Sequence, residues 1–163
     1  MYMSKRIYLA SPKADGNEFN YVKEAFKTNW LAPLGPFVER LENEFKKYMN
    51  IEGTTALSSG TSAIHLALKL AGVKKGDYVF VSTLTFSASV NPIIYEGGIP
   101  VFIDSDESLN MSPKALREAF KKYKPKAVIL VHLYGLSTNV DEIVEICKEN
   151  NTILIEDAPK ENP

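Results

Sequence analysis

Apolar residues recur along this chain with two different periods, and the change of period divides it. Up to about residue 50 the period is helical. Phe19, Val22, Ala25 and Phe26 share one stripe of a predicted helix over residues 17–28, with Asn17 or Asp15 placed to cap its start. Pro36 suits a first helical turn, and Phe37, Leu41, Phe45 and Tyr48 continue from it as a second stripe. Between the two helices, Trp30-Leu31-Ala32-Pro33-Leu34-Gly35 is too rich in Pro and Gly for regular structure. Residue types alone make it an apolar, packed loop.

From Gly53 onward short apolar runs alternate with helical patterns. Runs at 54–57, 78–81, 100–103, 127–131 and 152–155 predict strands, and residues 61–71, 86–95, 112–123 and 140–149 predict helices. The strands are apolar nearly throughout and rich in Val and Ile, which fits a sheet covered on both faces. Five strands with four crossovers predict an α/β fold, a mainly parallel sheet with flanking helices. The expected organisation is a helical segment over 1–50 followed by an α/β domain over 51–163. Ligands of such sheets sit beyond the carboxyl ends of the strands, so the loops after each run hold the candidate chemistry.

Composition narrows the function classes. The chain has 163 residues, enough for one sizeable core, and 19 basic against 20 acidic residues give a net charge of −1. That balance argues against nucleic acid and against a polybasic membrane anchor as partners. A single cysteine, Cys147, excludes an internal disulfide and a zinc cluster. The apolar stretch 127–136 is interrupted by His132 and Gly135 and falls short of a membrane span. Residues 1–11 lack the long apolar run of a signal peptide. The expectation is a soluble, cytoplasmic chain.

Among the loops, Ser58-Ser59-Gly60-Thr61-Ser62-Ala63 leads into a helix. Small residues let backbone close on a ligand, and a helix start offers N–H groups to an anion such as phosphate. An ordinary N-cap is the competing reading, and neither G-x-G-x-x-G nor a Walker loop is present. Ser82-Thr83-Leu84-Thr85-Phe86-Ser87-Ala88 sets an aromatic among small polar residues, so Phe86 either stacks on a flat ring or fills core space, with core favoured on this residue alone. Asp104 and Asp106 read as a solvated strand end, and no metal is assigned. His132, before Leu133-Tyr134-Gly135, reads as a hydrogen-bonded structural histidine, and His65 and Cys147 as packing residues. Asp157 closes Ile153-Leu154-Ile155-Glu156. A carboxylate at the end of a buried strand is expensive without a cation or several donors, so its position is informative, with a helix cap as the alternative.

Taken in order, these segments resemble the DegT/StrS-type sugar aminotransferases, which depend on pyridoxal 5′-phosphate (PLP) and share the fold-type-I large domain. The likeness runs from about Ile7 to Ala158. Its marks are Gly16-Asn17-Glu18, Trp30 with Gly35-Pro36-Phe37-Val38-Glu39, Ser59-Gly60-Thr61-Ser62-Ala63 and Thr85-Phe86-Ser87-Ala88. Pro100-Val101-Phe102-Ile103-Asp104, His132-Leu133-Tyr134-Gly135 and Ile155-Glu156-Asp157-Ala158 complete it. The resemblance implies that Gly60, Thr61 and Ser62 hold the PLP phosphate, Phe86 stacks on the ring and Asp157 pairs with the ring nitrogen. Trp30, Leu31 and Pro33 would border a sugar-nucleotide pocket. The implied reaction is amination of a nucleotide-linked 4-keto-6-deoxy sugar with L-glutamate as donor, for surface glycan, the likeness being greatest to enzymes that aminate C4 of a UDP-linked N-acetylhexosamine. A PLP-dependent sugar dehydratase of the same family is the alternative. The implied assembly is a homodimer.

The family's Schiff-base lysine lies downstream of the aspartate in chains more than twice this length, whereas Pro159-Lys160-Glu161-Asn162-Pro163 departs from the family's Asp-Ala-Ala continuation. Lys160 stands too near Asp157 to reach the opposite side of the ring. The expectation is therefore an incomplete fold, with no catalytic lysine assigned and a truncated portion inactive alone. The non-catalytic reading is a truncated product that at most binds a phosphate-bearing ligand weakly or pairs with an intact relative, and the exposed apolar edge of the last strand predicts self-association or aggregation. A generic nucleotide-binding α/β domain is the fallback.

Overall fold

The computed structural model describes residues 14, 16–133 and 139–158. Asp15, Tyr134, Gly135, Lys160 and the region 1–11 discussed above lie outside the described residues. The chain divides into two compact units between Ala56 and Leu57.

In the first unit, α1 (Glu18–Thr28) and α2 (Pro36–Met49) each end on an asparagine in the left-handed conformation, Asn29 at φ 59° and Asn50 at φ 51°. Asparagine tolerates that conformation and releases the chain from the helix. Gly35, at φ +146°, is required by the loop: a Cβ there would stand 2.8 Å from Cε3 of Trp30. The apolar stripes form as patterned but none of their residues is fully buried: Ala25 and Phe37 are partly covered, whereas Phe19, Val22 and Phe26 on α1 and Leu41, Phe45 and Tyr48 on α2 are exposed. Trp30, Leu31 and Leu34 are exposed as well, so the expectation of a packed loop fails.

The run 54–57 is not a strand. Its polar groups turn to α2 instead of a ladder: Thr54 Oγ1 donates to the Glu42 carbonyl at 2.7 Å, and the Ala56 N–H donates to Glu42 Oε1 at 2.8 Å. The second unit therefore carries four strands among the described residues, in the order α3 (Gly60–Leu70), β1 (Tyr78–Ser82), a 3-10 turn (Ser87–Ser89), α4 (Asn91–Tyr95), β2 (Ile99–Ile103), α5 (Pro113–Phe120), β3 (Pro125–Val131), α6 (Val140–Glu149) and β4 (Ile153–Asp157). The helix predicted over 86–95 is broken because Pro92 has no N–H to give the Ala88 carbonyl. A 3-10 turn and the short helix α4 replace it.

The sheet is parallel throughout in the order β2-β1-β3-β4, with Val81 opposite Ile129 and Val131 opposite Asp157. Alternation sorts its side chains into two cores. Val79, Val81, Ala127, Ile129 and Val131 pack with Ile64 and Leu68 of α3 and Ile93 of α4. Phe80, Val128 and Leu130 pack with Leu116 of α5 and Ile143 and Ile146 of α6. Helices thus cover both faces, as the apolar strands require. This is the mainly parallel sheet with flanking helices that the alternating pattern predicts. Ser112 caps α5 by accepting from the Ala115 N–H, with Pro113 in the first turn.

Cys147 lies in the second core, where burial pushes its thiol up to about 11. The thiolate is disfavoured in the folded state, so native chain is expected to resist iodoacetamide at pH 8 and to react on unfolding in guanidinium, as read by mass spectrometry. The same shift means that raising pH from about 9 towards 11 ionises the thiol of the unfolded chain first and lowers folding stability over that window. Below it the thiol is neutral in both states, and stability does not change with pH on its account.

Candidate functional site

The topology fixes where a ligand sits. β1 neighbours β2 on one side and β3 on the other, so the chain reverses direction across the sheet at β1, and the crevice opens at the carboxyl ends there. The loop after β1 carries Thr85, Phe86 and Ser89, β3 leads into His132, and β4 ends on Asp157. Helix α3 runs into β1 through a short turn, so its start lies at this same edge. The α3 helix also packs against both the 3-10 turn and β4.

Ser59 caps α3: its Oγ accepts from the Ser62 N–H at 3.2 Å, and its carbonyl accepts from the Ala63 N–H at 3.1 Å. The N-cap reading of this turn holds. It leaves the Gly60 and Thr61 N–H groups without a hydrogen-bond partner among the described residues, and Thr61 and Ser62 bring hydroxyls beside them. A Cβ at Gly60 would meet nothing within 4 Å, so the fold itself makes no demand for glycine there. Space and unengaged donors coincide.

Phe86 is 78% exposed, so it is not core filler. Its extended backbone, φ −76° and ψ 145°, ends the loop before the 3-10 turn. Asp157 follows Ile155 by two residues on β4 and so shares the face that packs on α3. It is half-buried at the strand end, and it caps no helix among the described residues. Oδ2 accepts from Ser89 Oγ at 2.6 Å, Ser89 Oγ meets Thr85 Oγ1 at 2.7 Å, and Oδ1 makes no hydrogen bond among the described residues. Backbone ties complete the edge. The His132 N–H donates to the Asp157 carbonyl at 3.1 Å, and the Val131 N–H donates to Ser82 Oγ at 3.4 Å.

His132 is buried, with Nε2 3.2 Å from Glu156 Oε2, which suits a structural histidine. His65 is not a packing residue: its partly exposed ring lies beside Tyr95 and pairs with Glu96, which Lys69 also contacts at 2.9 Å. Hydrogen bonds from Lys69 and, after it, from His65 hold the Glu96 carboxyl below its ordinary range. Asp104 and Asp106 accept from the Ser105 and Ser108 N–H groups, and the described residues include no group of three or more metal-ligating side chains. Asn110, buried, takes the Leu133 N–H on its Oδ1 at 2.9 Å and so fixes the loop after β3. Trp30, Leu31 and Pro33 belong to the first unit.

Sequence reasoning missed Ser89, Thr85 and Asn110. A serine amid Ala88, Val90 and Ile93, in a stretch that otherwise turns inward, was the available signal for Ser89. No helix among the described residues is long and apolar enough to cross a membrane.

Residues 12–161 match the DegT/DnrJ/EryC1/StrS aminotransferase family. Among curated proteins, the chain is 49% identical over 162 residues to EpsN of Bacillus subtilis (strain 168), which carries the name of a pyridoxal phosphate-dependent aminotransferase; the match covers 96% of this chain and 42% of that protein. It is 40% identical to the GDP-perosamine synthase of Escherichia coli O157:H7, covering 94% of this chain and 42% of the enzyme. Among solved structures, the E coli GDP-4-keto-6-deoxy-D-mannose-3-dehydratase with bound hydrated PLP superposes with a TM-score of 0.83 at 28% identity, over 91% of this chain and 40% of that one. The chain thus spans about two fifths of the length of the relatives it matches.

Proposed function

The chain belongs to the DegT/DnrJ/EryC1/StrS aminotransferase family, and from that premise we propose that its α/β unit is the PLP-holding part of a sugar-nucleotide aminotransferase. The family and its solved relatives work with this cofactor. The observation that carries the reading is the Asp157 carboxylate, fixed through Oδ2 by Ser89 with Oδ1 open, on the edge that also presents Phe86 and the start of α3.

The donor set fits the group. A carboxylate suits a protonated ring nitrogen, an exposed phenyl face suits a flat ring, and free N–H groups with hydroxyls suit a phosphate. Bound there, PLP supplies an electron-withdrawing ring that draws charge from the substrate carbon exchanging its amino group. Asp157 would keep the ring nitrogen protonated, Gly60, Thr61 and Ser62 would anchor the anion, and Phe86 would cover one ring face. Trp30, Leu31 and Pro33 are proposed to border the sugar nucleotide.

For the whole protein, the proposed reaction transfers an amino group from L-glutamate to a nucleotide-linked 4-keto-6-deoxy sugar for surface glycan. Support comes from the named aminotransferase and synthase relatives, at 49% and 40% identity. A dehydratase is the second reading, favoured by superpositions with TM-scores of 0.83 and 0.84 on enzymes titled as sugar 3-dehydratases. An amino sugar formed together with 2-oxoglutarate would establish the first. A sugar that loses a hydroxyl and gains no amino group would establish the second. The cofactor part is tested directly: titrating the chain with pyridoxamine 5′-phosphate, followed by ligand fluorescence, should give saturable one-site binding. Binding that never saturates would defeat the reading.

A further inference from the structure

We infer that Thr85 and Ser89 form a one-way hydroxyl relay that positions the Asp157 carboxylate and leaves its Oδ1 facing the ligand. The inference rests on the cofactor reading for its purpose, but its geometry stands on the hydroxyl contacts alone.

The direction of the relay follows from counting protons. A serine hydroxyl has one hydrogen to donate and two lone pairs to accept with. An ionised carboxylate accepts only, so the hydrogen between Ser89 Oγ and Asp157 Oδ2, 2.6 Å apart, comes from Ser89. With that hydrogen committed, Ser89 meets Thr85 Oγ1 at 2.7 Å only as an acceptor, so Thr85 donates to it in preference to the Phe86 carbonyl, which lies farther off at 3.4 Å. The proton order is Thr85 to Ser89 to Asp157. Each bond polarises the next, so the donation from Thr85 strengthens the bond from Ser89 to the carboxylate.

Burial makes the relay specific. Ser89 is 1% exposed, so water does not compete for its hydroxyl, and the 3-10 turn that holds it is pinned by the Ser89 N–H to the Phe86 carbonyl at 3.0 Å. The turn that presents Phe86 therefore also sets the rotation of the Asp157 carboxylate. One oxygen is occupied, and the other points away from the relay. Thr85 and Ser89 are positioning residues and touch no ligand in this scheme.

Two readouts test this in the full chain. The first needs no ligand: the carboxylate stretch of Asp157, isolated in [4-13C]aspartate-labelled protein by subtracting the Asp157→Asn spectrum. Ser89→Ala should move this band. Thr85→Val, which keeps shape and removes the hydroxyl, should move it part of the way, and the double variant should match Ser89→Ala. Thr85→Ser should restore the wild-type position. The second readout is affinity for pyridoxamine 5′-phosphate, expected to fall about tenfold in Ser89→Ala and in the double variant alike, on the scale of one charge-assisted bond. A band unmoved by Thr85→Val, or effects of the two substitutions that add, would overturn the relay, since residues acting in series cannot contribute independently. Wild-type chain that does not bind the probe would defeat the cofactor reading, while the band still decides the relay.

Discussion

Replacing Asp157 with asparagine is expected to weaken binding of pyridoxamine 5′-phosphate by about 10- to 100-fold and to leave the fold intact. The asymmetry comes from what the side chain does in each state. In the ligand-free protein the carboxylate is half-buried and receives one hydroxyl from Ser89. An amide of nearly the same shape can accept that hydroxyl through its own carbonyl oxygen, and it removes a charge from a site of reduced solvation. Melting followed by circular dichroism should therefore be unchanged or slightly higher. With ligand present, the carboxylate faces a protonated ring nitrogen, and hydrogen bonds to charged groups contribute about 1.5–3 kcal/mol. At about 1.4 kcal/mol per factor of ten, that range corresponds to the predicted loss. Equal affinity in the two proteins would mean that the ring nitrogen lies elsewhere and that the carboxyl end of β4 is only a structural terminus.

The strand that carries Asp157 was legible because its neighbours are buried on both faces. Apolar runs of Val and Ile, spaced by helical patterns, leave few alternatives to a parallel sheet, and four of the five predicted strands pair in it. Residues 54–57 looked the same by composition yet pair with nothing in the sheet, because Glu42 offers both a carbonyl and a carboxylate to that segment. A partner 12 to 14 residues away leaves no mark in the local pattern. The stripes of α1 and α2 were visible, but a stripe says which residues share a face and not what covers it.

The site was legible at the ends of strands and at the start of α3, where position alone selects residues. Asp157 and the Gly60 turn stand out in that way. Phe86 did not, since an aromatic in an apolar segment usually packs inward; here it precedes the 3-10 turn in extended backbone, outside any helix, and is exposed. Ser89 and Asn110 were hidden for a different reason. Their partners, Asp157 and Leu133, are 68 and 23 residues away in sequence, and only the closed sheet brings them together. Local patterns find what ends a strand. They do not find the hydroxyl or amide that comes to meet it.

Phe80→Ala is expected to be the most damaging single core substitution, at about 3–5 kcal/mol. Phe80 sits in the middle of β1, a central strand, with none of its surface exposed. Its ring meets Phe120 edge-on at 5.1 Å and Tyr123 at 6.5 Å, which joins the end of α5 and the turn after it to the sheet. Truncation opens a cavity among Leu116, Val128, Leu130 and Ile146, residues whose own strands and helices are held on other sides and cannot close in. It also removes the two aromatic contacts, each contributing about 0.5–1.5 kcal/mol beyond area. Against a total stability of about 5–15 kcal/mol, the loss is a large fraction. The thermal midpoint should fall by about 6–20 °C, at roughly 2–4 °C per kcal/mol for a chain of this length. Phe80→Leu, which retains most of the volume, should recover over half of that loss. Val79→Ala, its neighbour on the opposite face, should lose less than Phe80→Ala, because fewer buried atoms are removed. The ligand edge lies past the end of β1, so Phe80→Ala protein kept well below its midpoint should bind pyridoxamine 5′-phosphate within about twofold of wild type, sites distant from one another acting independently. A midpoint shift of only a few degrees would show that the core behind β1 repacks, and that α5 is held to the sheet by something other than this ring.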